Sequence, residues 1–164
     1  MRSTYTARLC KARCTERRKL AEFGRELGLA FQLRDDALDY EAGEALLGKR
    51  QYTDIREGKV TLPLLLALKR CSAAEREMIT GVLKSAAYHD QVVAVAAGGD
   101  ASEVEPFEVT AAVELIDRYH GVRDTVRRAE QHLETATAAI AAFPEGRAKN
   151  DLLAAAEHCV GRDR

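Results

Sequence analysis

Three aspartates within five positions, Asp35, Asp36 and Asp39, carry the strongest chemical signal in this chain of 164 residues. In a helix, spacings of one and four place them on one face about one turn apart. No Lys or Arg lies three or four positions from any of them. Clustered carboxylates without His or Cys suit Mg²⁺, which combines one or two carboxylates with waters and the phosphate oxygens of a substrate. The spacing therefore favours a Mg²⁺-diphosphate site over a structural metal site.

The segment that carries these aspartates, residues 27 to 39, is predicted to be a helix with apolar side chains on nearly all sides. Gln32 falls among the aspartates in a single narrow polar strip. A helix that is apolar nearly all round is typically buried, and uncompensated carboxylates in a buried site require cations. We therefore expect this helix to be buried. The alternative is an acidic patch on an exposed helix.

A polar segment follows at residues 48 to 63, with Gly48 and Gly58 each directly before a lysine. Two lysines on flexible loops, Lys49 and Lys59, can close over an anion. The alternative is an ordinary basic surface loop. Pro63 predicts that the next helix begins near Thr61, because proline is well accommodated in the first turn.

Together these motifs closely resemble the second aspartate-rich region of the trans-polyprenyl diphosphate synthases, the long-chain octaprenyl- and decaprenyl-like members in particular. The resemblance is carried by Phe23-Gly24-x-x-Leu27-Gly28-x-Ala30-Phe31-Gln32-x-x-Asp35-Asp36-x-Leu38-Asp39-Tyr40, then Gly48-Lys49, Asp54 and Gly58-Lys59-x-Thr61-Leu62-Pro63. It covers residues 20 to 164 and implies an all-α fold, the C-terminal part of the helical isoprenoid synthase bundle. It also implies condensation of isopentenyl diphosphate with an allylic diphosphate through Mg²⁺.

The resemblance implies a role for each matching residue. Mg²⁺ is assigned to Asp35, Asp36 and Asp39, of which Asp35 and Asp36 are also catalytic. Gln32 and Phe31 are assigned to the reacting ends of the substrates. The resemblance implies that Lys49, Lys59 and Thr6 bind diphosphate. Thr6 is the nearest counterpart of the threonine in a Lys-Thr pair of the family, and Tyr5 stands in place of the lysine.

Members of the family carry two aspartate-rich motifs, and the one found here matches the second. The chain is therefore expected to be a truncated half of a synthase, with residues 1 to 19 forming a basic segment outside the family sequence. Whether it is an enzyme by itself stays open. The alternatives are a non-catalytic helical partner subunit of a full-length synthase, a helical interaction protein without lipid chemistry, and a class I terpene cyclase. A homodimer or a hetero-oligomer with a longer synthase is expected.

Composition independently favours an all-α protein, since aromatic residues make up 5% of the chain, Trp is absent and no alternating strand pattern appears. A formal net charge of −1 argues against nucleic-acid binding. Four cysteines without a disulfide-scaffold pattern fit reduced thiols in the cytoplasm, and no apolar run reaches the roughly 20 residues that span a bilayer. A polyprenyl product would draw the enzyme to membrane surfaces.

The remaining helices are predicted from local signals. Ser72 to Glu75 reads as a capping box that opens a helix through about Ala87, and residues 98 to 106 read as a loop. Apolar residues at alternating spacings of four and three run from Val122 to Phe143 and end at Pro144. This pattern predicts packing inside a helical bundle, with a coiled-coil module as the alternative.

Overall fold

A computed structural model of the chain describes residues 2–41, 52–95 and 106–161, with side chains described for 14–41, 52–84 and 109–161. Within these ranges every regular element is a helix and none is a strand, so the all-α prediction is confirmed. The helices are α1 (Arg2–Glu41), α2 (Thr53–Arg56), α3 (Leu62–Arg70), α4 (Ala73–Val95), α5 (Pro106–Arg118), α6 (Gly121–Ile140) and α7 (Arg147–Val160). The predicted loop at 98 to 106 lies almost entirely outside the described residues.

The chain divides into two compact units, one formed by residues 1–34 with 127–164 and the other by residues 35–126. The boundary expected at residue 19 does not coincide with the end of a helix, because α1 continues through it.

The first unit is held together by apolar side chains. Phe23 of α1 packs with Ala136, Ile140 and Ala156, and Ala30 packs with Ala129 and Val160. Burying these side chains removes apolar surface from water, which is the main favourable term in folding. The α6 residues belong to the pattern predicted between Val122 and Phe143, so intramolecular packing is confirmed for that part of it.

A polar pair accompanies this core. His132 Nδ1 lies 2.6 Å from Glu26 Oε2, and Arg25 donates to Glu26 Oε1. The hydrogen bond from His132, followed by that from Arg25, holds the pKa of Glu26 below its ordinary value. No local sequence signal predicts this contact, because it joins positions 26 and 132.

The second unit has a larger aliphatic core. Its fully buried side chains come from four helices and include Ile55, Leu64, Ile79 and Ile116. Helix α3 begins after Thr61, with Pro63 in its first turn, as predicted. It ends at Arg70 with two basic residues in its last turn, which suits the negative end of the helix dipole.

The capping box before α4 is confirmed. The Ser72 backbone N–H and hydroxyl both donate to Glu75 Oε2, at 2.9 and 2.8 Å, and the Glu75 N–H donates to Ser72 Oγ at 3.3 Å. Tyr119 donates a further hydrogen bond to the same carboxylate at 3.0 Å. The helix itself extends to Val95, eight residues beyond the predicted end at Ala87, because no Gly or Pro follows Ala87 closely enough to stop it.

Glu75 makes the stability of the second unit depend on pH. Hydrogen bonds from the Ser72 backbone, the Ser72 hydroxyl and Tyr119 lower the pKa of Glu75 from 4.5 to about 2. A depressed pKa means that the stabilisation is present above about pH 4.5 and is lost as the pH falls towards 2. We expect Glu75→Gln to melt below wild type at pH 6, with the difference in Tm shrinking between pH 5 and 2. A difference that stays constant with pH, or an equal effect of Glu77→Gln on the same helix, would contradict this assignment.

Candidate functional site

The three predicted aspartates lie in the last two turns of α1. Asp35 is exposed, whereas Asp36 and Asp39 are half-buried. None of the described residues forms a side-chain hydrogen bond or an ion pair with the Asp35 carboxylate. A single exposed carboxylate next to a second one is chemically able to accept a hydrated cation, because no described partner neutralises it.

The expectation that this helix is buried on nearly all sides is wrong. Ala30 and Ala37 are fully buried, but Leu29 is 43% exposed and Gln32 and Asp35 are exposed as well. The apolar side chains of a helix indicate which of its faces can be buried. The neighbouring elements determine which of those faces are buried in the folded chain. Here the described helices cover the alanine side of α1 and leave the strip that contains Gln32 and Asp35 open.

Asp39 has a different environment from Asp35. Its Oδ1 accepts a hydrogen bond from the backbone N–H of Thr53, and its Oδ2 accepts one from the backbone N–H of Asp54, both at 3.1 Å. The first residues of α2 therefore lie against the Asp39 carboxylate of α1. Tyr52, the residue before α2, provides no side-chain cap of its own.

Tyr40, the next residue of α1, contacts the same segment at two points. Its hydroxyl lies 3.2 Å from Thr61 Oγ1, and its ring centre lies 6.3 Å from that of Tyr52, with the planes inclined at 45°. Burial raises the pKa of Tyr40 well above the ordinary tyrosine value, so its phenol keeps its proton at neutral pH.

Lys59 follows α2 and stays close to it. Its backbone N–H donates to the Asp54 carbonyl at 2.7 Å, while its ammonium group pairs with Glu57 and lies 3.9 Å from Asp54 Oδ1. The hydrogen bond to Glu57 raises the pKa of Lys59, so this lysine is a permanent cation near neutral pH. Gly58 adopts a positive φ of 69°, which turns the chain between α2 and Lys59.

Asp54 completes the polar cluster. Burial, and then the negative charge of Asp39, raise the pKa of Asp54 above its ordinary value. The second unit thus brings Asp39, Asp54 and Lys59 together from segments that are separate in sequence. Sequence reasoning noted Asp54 only as part of the motif, although an Asp in the first turn of a helix is a recognisable local signal.

The other predicted residues are placed as follows. On α1, Phe31 is half-buried and Gln32 is exposed, one turn before the aspartates. Thr6 lies in α1, but its side chain is outside the described part of the structure, and Lys49 lies outside the described residues altogether.

No three His, Cys, Asp or Glu side chains form a ready-made metal cage in the part of the chain that the structure describes. The donor set nevertheless fits Mg²⁺, because this ion needs only one or two carboxylates and completes its octahedron with water and phosphate oxygens. None of the helices in the described ranges is both long and apolar enough to cross a bilayer.

Comparison with known proteins gives a consistent result. Residues 3–97 match the model of the polyprenyl synthetase family, a range that includes most of the basic segment at 1 to 19. Over 155 residues the chain is 34% identical to octaprenyl diphosphate synthase of Escherichia coli K12, covering 93% of this chain and 43% of that protein. The chain therefore spans less than half the length of this relative.

Solved structures with the same helical arrangement are also found. A decaprenyl diphosphate synthase from Rhodobacter capsulatus superposes with a TM-score of 0.73 at 27% identity, over 92% of this chain and 41% of that one. A geranylgeranyl pyrophosphate synthase from Corynebacterium glutamicum, in complex with isoprenyl diphosphate and magnesium, superposes with a TM-score of 0.66 at 26% identity. That match covers 87% of this chain and 36% of the other.

Proposed function

This chain belongs to the polyprenyl synthetase family, and we propose that it contributes the carboxylates and a cation for a Mg²⁺-dependent condensation of isopentenyl diphosphate with an allylic diphosphate. The observation that carries the proposal is the exposed Asp35 beside Asp36, in the same unit as the anchored Lys59 segment. Carboxylates to hold a metal and a lysine to hold an anion are the two parts that metal-diphosphate binding requires.

Asp35 and Asp36 are the proposed metal ligands. When bound, Mg²⁺ would neutralise the charge of the departing diphosphate and so ease breakage of the allylic carbon–oxygen bond. Asp39 was predicted as a third ligand, and its direct contact with the metal stays a prediction. Both of its carboxylate oxygens accept backbone hydrogen bonds. The complex of the Corynebacterium glutamicum relative with magnesium and isoprenyl diphosphate supports the choice of ion.

Lys59 is the proposed diphosphate-binding residue on the described side of the site. Its side chain is 58% exposed, and its ammonium group pairs with Glu57, which is itself exposed. A surface ion pair of this kind contributes little to stability, so a diphosphate carrying several charges can replace the single carboxylate. Lys49 and Thr6 are proposed to assist on the strength of the sequence motif alone.

Gln32 and Phe31 are proposed to border the reacting ends of the substrates, because both precede Asp35 on α1 by about one turn. The amide of Gln32 supplies a neutral polar contact, and the Phe31 ring supplies an aromatic one for an allylic chain.

The assembly and location belong to the same proposal. One Asp-Asp pair occurs in these 164 residues, whereas the family pattern uses two. A second pair would come from another polypeptide in a homodimer or hetero-oligomer, or from another part of a longer chain. The protein is proposed to act in the cytoplasm, with its long polyprenyl product drawing it towards membrane surfaces.

The test is calorimetric binding of farnesyl diphosphate and of inorganic diphosphate to the purified chain, with Mg²⁺ and with EDTA. We expect Mg²⁺ to tighten binding of both by at least about tenfold, or 1.4 kcal/mol. Inorganic phosphate serves as the control anion, because it carries less charge than diphosphate and spans a shorter distance between a metal and a lysine. Equal affinity with and without Mg²⁺ would contradict the proposal. Incorporation of labelled isopentenyl diphosphate in the same samples then reports whether the chain elongates by itself.

A further inference from the structure

We infer that Asp39 and Tyr40 form a clamp on the segment 52–61, so that Asp39 acts as a positioning residue for Lys59. The name Asp39–Tyr40 clamp is used below for these two residues and their three contacts, with the start of α2, with Tyr52 and with Thr61. The clamp is defined by contacts alone. Its effect on diphosphate binding rests on the proposed function.

The first contact, from Asp39 to the start of α2, provides acceptors for backbone N–H groups. The first N–H groups of a helix have no partner within it and normally receive one from the side chain of the preceding residue. Tyr52 occupies that position in a left-handed conformation, with φ of 58° and ψ of 38°, and makes no side-chain cap. The carboxylate of Asp39 instead accepts from Thr53 and Asp54, one oxygen for each N–H. Asp39 is therefore an external cap of α2.

The second and third contacts come from the adjacent tyrosine. The Tyr40 ring lies against Tyr52, and the Tyr40 hydroxyl is hydrogen-bonded to Thr61. Two neighbouring residues of α1 thereby contact the beginning and the end of one ten-residue segment. Because α1 is a continuous helix that also carries Asp35 and Asp36, the segment is fixed relative to the proposed metal ligands.

The segment between these contacts is stiff enough to transmit a displacement. Ile55 is fully buried in the core of the second unit, and the N–H of Lys59 is hydrogen-bonded to the carbonyl of Asp54 at 2.7 Å. Movement of Asp54 therefore moves the backbone of Lys59. Loss of the carboxylate at position 39 releases Thr53 and Asp54 first and changes the location of the Lys59 ammonium group as a consequence.

Amide hydrogen exchange tests the clamp directly and needs no ligand. In Asp39→Ala we expect the Thr53 and Asp54 amides to exchange about tenfold faster than in wild type, because both lose their acceptor. Asp117→Ala, which removes an exposed carboxylate from α5, is the matched control and should leave these two amides unchanged. Exchange of Thr53 and Asp54 at the wild-type rate in Asp39→Ala overturns the inference.

Diphosphate binding separates a positioning role from a metal ligand. At saturating Mg²⁺, we expect Asp39→Ala to weaken inorganic diphosphate binding about as much as Lys59→Ala does. The double variant should be no more than about threefold weaker than either, because both changes remove the same interaction. The Mg²⁺ concentration at half-saturation should stay within about twofold of wild type. A tenfold shift in that concentration, with additive losses in the double variant, identifies Asp39 as a metal ligand and overturns the inference.

Two conservative variants keep the test decisive if Asp39→Ala does not fold. Asp39→Asn retains one oxygen that can accept one of the two N–H groups, so its exchange rates should lie between those of wild type and full loss. Tyr40→Phe keeps the ring against Tyr52 and loses only the bond to Thr61, so it should leave the Thr53 amide protected. Should wild type bind no diphosphate, the proposed function fails, while the exchange rates still decide whether the clamp exists.

Discussion

Replacing Asp35 and Asp36 together by asparagine is expected to weaken Mg²⁺-dependent diphosphate binding by about 100-fold or more. Loss of outer support at a metal site costs about 10–100-fold, and removal of the ligands themselves should cost at least the upper figure. Asparagine keeps the size of both side chains and removes both charges. Each asparagine also keeps one side-chain oxygen that can accept a hydrogen bond, so the variant should remain folded. Calorimetry with inorganic diphosphate and Mg²⁺ measures the effect.

The matched control removes two carboxylates from elsewhere on the surface. Asp117 and Asp151 are both exposed, on α5 and α7, so Asp117→Asn with Asp151→Asn changes the net charge by the same amount. This control should bind diphosphate as wild type does, which excludes a general effect of charge. If both double variants bind equally well, the metal site does not lie at the end of α1. If both bind equally poorly, the attraction is unspecific.

Local sequence signals were sufficient for much of the fold. Pro63 predicted the start of α3, and the pairing of Ser72 with Glu75 predicted the start of α4. Both depend on residues within one helical turn of each other, so their physical causes are contained in a short stretch of sequence. The family motif added the aspartates and the lysine segment, because their order along the chain is distinctive.

The arrangement of the site could not be predicted in the same way. Asp39 reaches α2 across 14 and 15 positions, and Tyr40 reaches Thr61 across 21. No local sequence pattern predicts such contacts, because they join residues that are far apart in the sequence. The exposure of Leu29 was missed for a related reason, because helical periodicity identifies apolar faces but not the elements that cover them.

The close approach of α3 and α6 leads to the largest stability effect that we expect. Gly121, the first residue of α6, has no room for a side chain. A Cβ built there would lie 2.3 Å from the Pro63 carbonyl oxygen and 3.1 Å from Ile116 Cγ2. The carbonyl belongs to the backbone of α3 and cannot rotate away, so Gly121→Ala must separate the two helices. We expect a loss of about 3 kcal/mol in the free energy of unfolding, at the upper end of typical overpacking costs.

Urea unfolding of Gly121→Ala measures this loss, and Gly24→Ala is its control because the two substitutions are chemically identical. Gly24 lies inside α1, and a Cβ added to it would meet no atom within 4 Å, so alanine there should stabilise the protein by about 0.5–1 kcal/mol. The separation of α3 also bears on the site, since α3 begins directly after Thr61, the residue bonded to Tyr40. Gly121→Ala should therefore also weaken the hydrogen bond between Thr61 and Tyr40. Unfolding at the wild-type urea midpoint would show that α3 and α6 do not approach this closely.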